Sequence, residues 1–169
     1  MASESISPIR FGTISFTTGG AAASTAGVGP GPNDPQLGDF CESGGARWVF
    51  VYNDGGASAP VGCAVVLNSA ATGYSVTVTS VTSADFAIGV VQNATFMTGT
   101  YGWVLVRGIG TVKMMTASGT VAARQNLELA ANGYFYGASN TTGNGLCFGQ
   151  SISAIVSSAS GSAFITCYG

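Results

Sequence analysis

Histidine is absent from this 169-residue chain, and charged residues make up only 7% of it. Without histidine the chain lacks the commonest general base and the commonest metal ligand, and a Ser-His-Asp triad is impossible. The formal net charge is −2, so we expect no basic surface that would bind nucleic acid. Surface charge keeps free proteins soluble, so its scarcity favours a protein that works within an assembly.

Motifs for nucleotide, redox or metal chemistry are also missing from the sequence. It contains no phosphate-binding loop, no nucleophile elbow and no Cys-x-x-Cys pair. No two of the seven acids are spaced so as to be forced onto one face, and structural roles are predicted for all of them. We therefore expect no enzymatic activity, no cofactor and no metal site. A hydrolase that uses carboxylates is the weakest alternative.

Long apolar runs are absent as well. No run approaches the ~20 residues that a membrane-spanning helix needs, and the first residues lack the basic and apolar regions of a secretory signal. The sequence thus predicts synthesis in the cytoplasm and no membrane partner. In that compartment the cysteines are expected to remain free thiols that pack as small apolar groups. They are Cys41, Cys63, Cys147 and Cys167.

Proline is nearly confined to the N-terminal part of the chain, with four of its five copies before residue 36. Because proline cannot donate a hydrogen bond within a central strand, this distribution separates two regions. Residues 1–45 are predicted to be an extended Gly/Pro-rich arm with a low-complexity linker, and residues 46–169 a folded body.

The arm carries an apolar segment with too few local partners to be buried by itself. We expect it to reach beyond its own body and to contact neighbouring subunits or the capsid. The alternative is that residues 8–18 add an edge strand to their own domain. The predicted contact residues are Ile6, Ile9, Phe11, Ile14 and Phe16.

The body shows turn signals at short intervals, alternating apolar and polar residues, and no long helical pattern. These features predict one all-β domain, a sandwich or barrel of short antiparallel strands. Residues 122–131 fit either a helical turn or a short strand. The predicted strands are Arg47–Asn53, Val61–Leu67, Tyr74–Val81, Ile88–Gln92, Tyr101–Arg107, Ile109–Met115, Gly133–Gly137, Leu146–Val156 and Ala163–Cys167.

Period-2 alternation also predicts which side chains share a face. Tyr101–Arg107 is apolar on both faces, so we expect it to lie centrally. In Tyr74–Val81 the alternation predicts Tyr74, Val76 and Val78 on an inward face, and Ser75, Thr77 and Thr79 on a solvent-exposed face. Aromatic residues occupy alternating positions in three of the strands, which favours a core or a subunit interface over stacking on a sugar. These aromatic residues are Trp48, Tyr52, Tyr74, Tyr101 and Trp103.

Several of these stretches together resemble a known family. Gly89-Val-Val-Gln followed by Gly99-Thr-Tyr-Gly-Trp-Val-Leu-Val-Arg-Gly is similar to a pattern in the head decoration (cement) proteins of tailed phages. The upstream strand, turn and strand of that family resemble Arg47-Trp-Val-Phe-Val-Tyr-Asn-Asp-Gly-Gly-Ala-Ser-Ala-Pro-Val-Gly-Cys-Ala-Val-Val. Gly133-Tyr-Phe-Tyr-Gly and Gly149-Gln-Ser-Ile-Ser take the place of the closing strands. The resemblance covers residues 46–169.

The resemblance implies a non-enzymatic virion protein, made in the host cytoplasm, that decorates the outer surface of a phage head. Its partners would be the major capsid protein and two further copies of itself in a homotrimer. Its function would be to stabilise the shell across capsomer boundaries. A different class remains as the alternative, a receptor- or glycan-binding module of a phage fibre or knob.

Overall fold

The computed structural model describes residues 35–68, 74–78, 86–116, 119–137 and 147–167. Within these ranges the chain forms ten β-strands and one 3₁₀ turn (Ala131–Gly133), and contains no α-helix, which confirms the all-β fold class. The strands are β1 (Phe40–Ser43), β2 (Ala46–Asn53), β3 (Ala64–Leu67), β4 (Ser75–Thr77), β5 (Ala87–Val90), β6 (Thr100–Lys113), β7 (Asn126–Leu129), β8 (Phe135–Gly137), β9 (Cys147–Ser151) and β10 (Ser160–Thr166).

The strands form one sheet in the order β1-β2-β4-β3-β5-β6-β10-β9-β7-β8, and an additional pairing joins β2 to β6. That pairing closes β2, β4, β3, β5 and β6 into a five-stranded barrel. β10, β9, β7 and β8 continue the sheet outward from β6, and β1 forms an antiparallel pair with β2. The fold therefore has a barrel and an extension that share a single strand.

The shared strand, β6, is 14 residues long and serves the two parts in succession. Its first half pairs with β2 and its second half with β10. Trp48 pairs with Leu105 whereas Arg47 pairs with Arg107, so Val106 is an extra residue that forms a β-bulge. A bulge reverses the alternation of the residues that follow it. Leu105 and the residues at 110 and 112 therefore share one face of the strand.

Two hydrophobic cores result. The barrel core fills the closed barrel and consists of Val49, Val51, Ala59, Val65, Val76, Val78, Ile88, Val91, Phe96, Val104 and Val106. The second core lies between the outer barrel wall and the extension, and consists of Ala64, Val66, Ala87, Val90, Leu105, Val112, Met114, Val121, Leu127, Leu129, Phe135, Phe148, Ile155, Ala163 and Ile165.

The predicted break between two strands at residues 108–110 is wrong, because β6 runs through it without interruption. Gly108 has a φ of +133° and Gly110 lies beneath Leu105, where a Cβ would come within 2.5 Å of the leucine Cδ2 atom. These glycines make room for the second core inside a strand, a role that the sequence does not distinguish from a turn.

The predicted solvent-exposed face of β4 is also wrong, because Ser75 and Thr77 are both buried. β4 lies between β2 and β3, and Gly55 in the turn after β2 packs directly against Thr77. The inward prediction is correct for Val76 and Val78, which belong to the barrel core. On the other side of β4, the turn at Gly55 covers Thr77. Thr79 lies outside the described residues.

Two further predictions concern where the body begins and what the segment at 122–131 forms. β1 begins at Phe40 and pairs with β2, so the strands of the body begin within the range assigned to the arm. The segment at 122–131 contains the strand β7, and a 3₁₀ turn follows it. No helix long and apolar enough to cross a membrane is present in the parts of the chain that the structure describes.

Candidate functional site

An aromatic strip covers the outer wall of the barrel where β2 and β6 pair. Phe50 lies opposite Trp103, and Tyr52 opposite Tyr101. The alternating residues Val49, Val51 and Val104 point into the barrel core. The four outward side chains that form this aromatic strip are Phe50, Tyr52, Tyr101 and Trp103.

The rings of the strip contact one another. The centroids of Tyr52 and Tyr101 are 4.7 Å apart, and those of Phe50 and Trp103 are 5.2 Å apart. Phe50 also stacks on Tyr101 at 6.0 Å with an interplanar angle of 10°. Aromatic pairs at such distances stabilise by about 0.5–1.5 kcal/mol beyond their buried area. The strip is thus a pre-organised surface.

Exposure differs along the strip. Phe50 is buried at its centre, whereas Tyr52, Tyr101 and Trp103 are only half-buried. Tyrosine and tryptophan combine a large apolar ring with a polar group, the combination that is enriched at protein interfaces. The strip can therefore take an apolar partner surface or the face of a sugar ring.

Two aromatic residues that the sequence grouped with the strip lie elsewhere. Tyr74 packs against the barrel core and meets Phe40 edge-on, with centroids 6.4 Å apart. Trp48 packs against the second core. The sequence did not identify Phe50 as the centre of the strip or predict the contacts of its ring. The position of Phe50 between Trp48 and Tyr52, two residues from each, could have indicated that it shares their face.

The turn after β2 is held by polar contacts at one end of the strip. Asn53 is buried, and its amide donates to the carbonyl oxygens of Phe96, at 2.9 Å, and Ala57, at 3.2 Å. Its side-chain oxygen accepts the N–H of Gly55. Asp54 accepts a 2.7 Å hydrogen bond from Asn68. These hydrogen bonds give both side chains structural roles.

Glu128, on β7, is a buried acid. Its Oε2 atom accepts a 2.6 Å hydrogen bond from the Tyr136 hydroxyl. This hydrogen bond, with burial and the nearby negative charge, raises the pKa of Tyr136 to about 12. Among the described residues no group of three or more His, Cys, Asp or Glu side chains is placed to hold a metal ion.

The four cysteines are unpaired in the structure. Burial raises the pKa of the Cys63 thiol to about 11, although Lys113 opposes the shift, and burial raises that of Cys167 to about 12. Burial also raises the pKa of Cys41. Because the thiolate is the reactive form, these three thiols are poor nucleophiles near neutral pH. Cys147 is exposed.

The predicted contact residues of the arm lie outside the described residues. They are Ile6, Ile9, Phe11, Ile14 and Phe16, and the structure provides no test of their role.

Comparison with solved structures finds a similarity in fold, whereas comparison with sequences finds none. No family model matches the chain, and no curated protein matches it. Among solved structures, the chain is similar to the N base of the head fiber protein gp8.5 of bacteriophage phi29, with a TM-score of 0.46 and 9% sequence identity. The match covers 70% of this chain and 94% of that one.

Proposed function

We propose that the protein is a non-enzymatic decoration protein of a bacteriophage head, which binds the outer surface of the capsid and stabilises it across capsomer boundaries. The observation that carries this proposal is the number of large apolar side chains exposed on a chain with only 7% charged residues. Burial of exposed apolar side chains against a partner is favourable, and a surface with little charge gives weak protection against association. The most exposed of these residues are Ile109, Val156, Phe86 and Met97.

The exposed apolar residues are spread over several strands. Leu67 ends β3 and Phe86 immediately precedes β5, whereas Ile109 and Phe164 lie on β6 and β10. A homotrimer of this chain on the major capsid protein would engage several such surfaces at once. Each additional contact would then form at a high effective concentration, so weak individual contacts would add up to firm attachment.

The N-terminal segment has a role of its own within this proposal. Ile6, Ile9, Phe11, Ile14 and Phe16 would fix each copy to a neighbouring subunit or to the capsid. Deletion of residues 2–18 should leave the melting temperature unchanged and weaken capsid binding. A truncated protein that melts several degrees lower and still decorates capsids would contradict this role.

A second candidate is a receptor- or glycan-binding module of a phage fibre or knob. The half-buried rings of Tyr52, Tyr101 and Trp103 favour it, because sugars stack on exposed aromatic faces.

Co-sedimentation with purified virion parts discriminates between the two candidates. The decoration function predicts saturable binding to phage heads that lack the protein, a rise in their temperature of disruption, and no binding to isolated tails. Binding to tails alone, together with glycan binding that Trp103→Ala abolishes, would overturn it in favour of the fibre module. Light scattering should give about three chain masses for the proposed trimer.

A further inference from the structure

A row of exposed polar side chains runs across β1, β2, β6 and β10. The strand registers place Glu42 opposite Arg47, Arg47 opposite Arg107, and Arg107 opposite Thr166. Directly opposed residues of antiparallel strands point to the same side of the sheet. All four side chains are exposed. We call this set, Glu42, Arg47, Arg107 and Thr166, the arginine row.

Apolar side chains flank the row on the same side of the sheet. Ile109 and Phe164 are direct cross-strand partners and are 69% and 42% exposed. Each lies two residues along its strand from Arg107 or Thr166, and therefore on the same face. At the other end, the guanidinium of Arg47 lies 4.2 Å from the centroid of the Phe40 ring, which is 40% exposed. The second core packs against the opposite side of β10 through Ala163 and Ile165.

The Arg47–Arg107 pair works against the stability of the fold. Like charges directly opposed across two strands destabilise a sheet. Within the described ranges neither guanidinium forms an ion pair, and Glu42 does not come within salt-bridge distance of Arg47. The chain has only five basic residues, yet two of them are adjacent here. Unfavourable arrangements of this kind persist where a function needs them.

We propose that the arginine row and its apolar flanks bind an extended segment of a partner polypeptide that carries carboxylates between apolar side chains. Arginine forks bind carboxylates in a bidentate geometry, so two adjacent guanidinium groups would hold one or two acidic side chains. Ile109 and Phe164 would contact the apolar residues of the segment.

Nucleic acid suits this surface poorly. Binding along a phosphate backbone requires several spaced positive charges, whereas this surface offers two charges with apolar residues beside them on a chain of net charge −2. This inference rests on the proposed function only for the identity of the partner. If the protein decorates a phage head, the partner would be an acidic segment of the capsid.

A binding experiment with synthetic peptides tests the chemistry directly. The probe is a fluorescein-labelled 12-residue peptide of alternating Leu and Glu, and two matched peptides replace every Glu by Lys or every Leu by Ser. Fluorescence anisotropy with the full chain should show binding of the Leu/Glu peptide, weaker binding of the Ser/Glu peptide and none of the Leu/Lys peptide. Binding should weaken as the salt concentration rises.

Variants locate the site. Arg47→Gln and Arg107→Gln should each weaken binding of the Leu/Glu peptide by about two- to fivefold, the range for exposed ion pairs, and the double variant by more. Ile109→Ser should weaken it without changing the salt dependence. Arg124→Gln removes the same charge from an exposed turn that precedes β7, so its affinity should be unchanged.

Stability separates a binding role from a structural one. Because Arg107→Gln relieves the like-charge pair, it should leave the melting temperature unchanged or raise it while it weakens binding. A fall in melting temperature by several degrees would mean that the arginines stabilise the fold, and would overturn the proposal. So would equal affinity of the Arg47→Gln/Arg107→Gln variant and the wild type for the Leu/Glu peptide.

Two other outcomes count against the proposal. Failure of the wild type to bind the Leu/Glu peptide at millimolar concentration would overturn it, even if the protein decorated capsids normally. Self-association that the double arginine variant abolishes would assign the surface to a second copy of the chain instead. Conversely, peptide binding that depends on the arginines, in a protein that does not bind heads, would uphold this inference and contradict only the proposed function.

Discussion

The barrel core and the second core are built from different side chains, although β6 contributes to both. Eight of the eleven buried residues in the barrel core are valine. The second core contains Phe135, Phe148, three leucines and a methionine. A barrel of few strands has a narrow interior, and short β-branched side chains from opposite walls fill it. The number of strands does not limit the width of the space between the barrel wall and the extension, so larger side chains fit there.

From this contrast we expect the two cores to differ in the substitutions that destabilise them most, enlargement in the barrel core and truncation in the second core. The barrel core should tolerate loss of volume better than gain, because little more can fit inside a closed wall. The second core should lose most stability when its large residues are truncated. Two pairs of substitutions test this difference directly, and two further variants test the contact between β5 and β6 and a hydrogen bond of the extension.

The largest effect is expected from Phe148→Ala in the second core. Truncation of a fully buried phenylalanine typically costs about 3–5 kcal/mol of unfolding free energy. Val104→Ala in the barrel core removes less volume and should cost about 2 kcal/mol. Urea denaturation monitored by tryptophan fluorescence measures both. Equal losses would remove the contrast between the cores.

Enlargement should reverse the order. Val51→Leu adds one methylene inside the closed barrel and should cost about 1–3 kcal/mol, because the surrounding strands cannot move apart independently. The matched change in the second core, Val112→Leu, should cost less, since side chains of the extension can shift. A larger loss for Val112→Leu in the same urea assay would show that the barrel is the more adaptable part.

Gly89 lies on β5, whose residues contribute to both cores. A Cβ there would come within 2.5 Å of the Val104 Cγ2 atom and 3.2 Å of the Leu105 carbonyl oxygen. Gly89→Ala should therefore cost about 1–2 kcal/mol through overpacking. Gly56→Ala is the matched control, because nothing lies within 4 Å of its Cβ position. A neutral result for Gly89→Ala would show that β5 can move away from β6.

The smallest effect concerns the Glu128–Tyr136 hydrogen bond on the extension. The pKa of Tyr136 is raised to about 12 in the folded protein, above the ordinary value of 10. Between these values the unfolded chain loses the tyrosine proton while the folded chain keeps it, so stability falls as the pH rises. The contribution is fully present below pH 10 and is lost as the pH rises towards 12.

Tyr136→Phe should remove this part of the alkaline loss of stability. Urea midpoints between pH 8 and pH 11.5 should fall less steeply for Tyr136→Phe than for the wild type. Identical slopes for the wild type and Tyr136→Phe would show that the hydrogen bond is not coupled to folding.

The sequence predicted which residues form strands and share a face better than it predicted what packs against each face. In β2 and the first half of β6, alternation of large aromatic and small β-branched residues correctly predicted which side chains share a face, because period 2 is a property of the strand itself. Alternation failed at β4, where the turn at Gly55 covers the outer side of the strand at Thr77. The sequence also predicted a turn at Gly108 and Gly110, because glycines that close packing requires look the same in a sequence as glycines of a turn. The candidate surfaces were predicted only in part. Tyr52, Tyr101 and Trp103 were identified, but the arginine row was not.

The sequence by itself determined the all-β class, the sets of side chains that share a face of β2, and the absence of histidine chemistry, since these depend on composition and on neighbours a few residues apart. Only the tertiary structure decided that β2 and β6 close a barrel, that the bulge at Val106 directs one strand into two cores, and that Arg47 and Arg107 are adjacent. These features arise from pairings between residues about 50 to 60 positions apart. Such pairings depend on strand register, which no local pattern specifies.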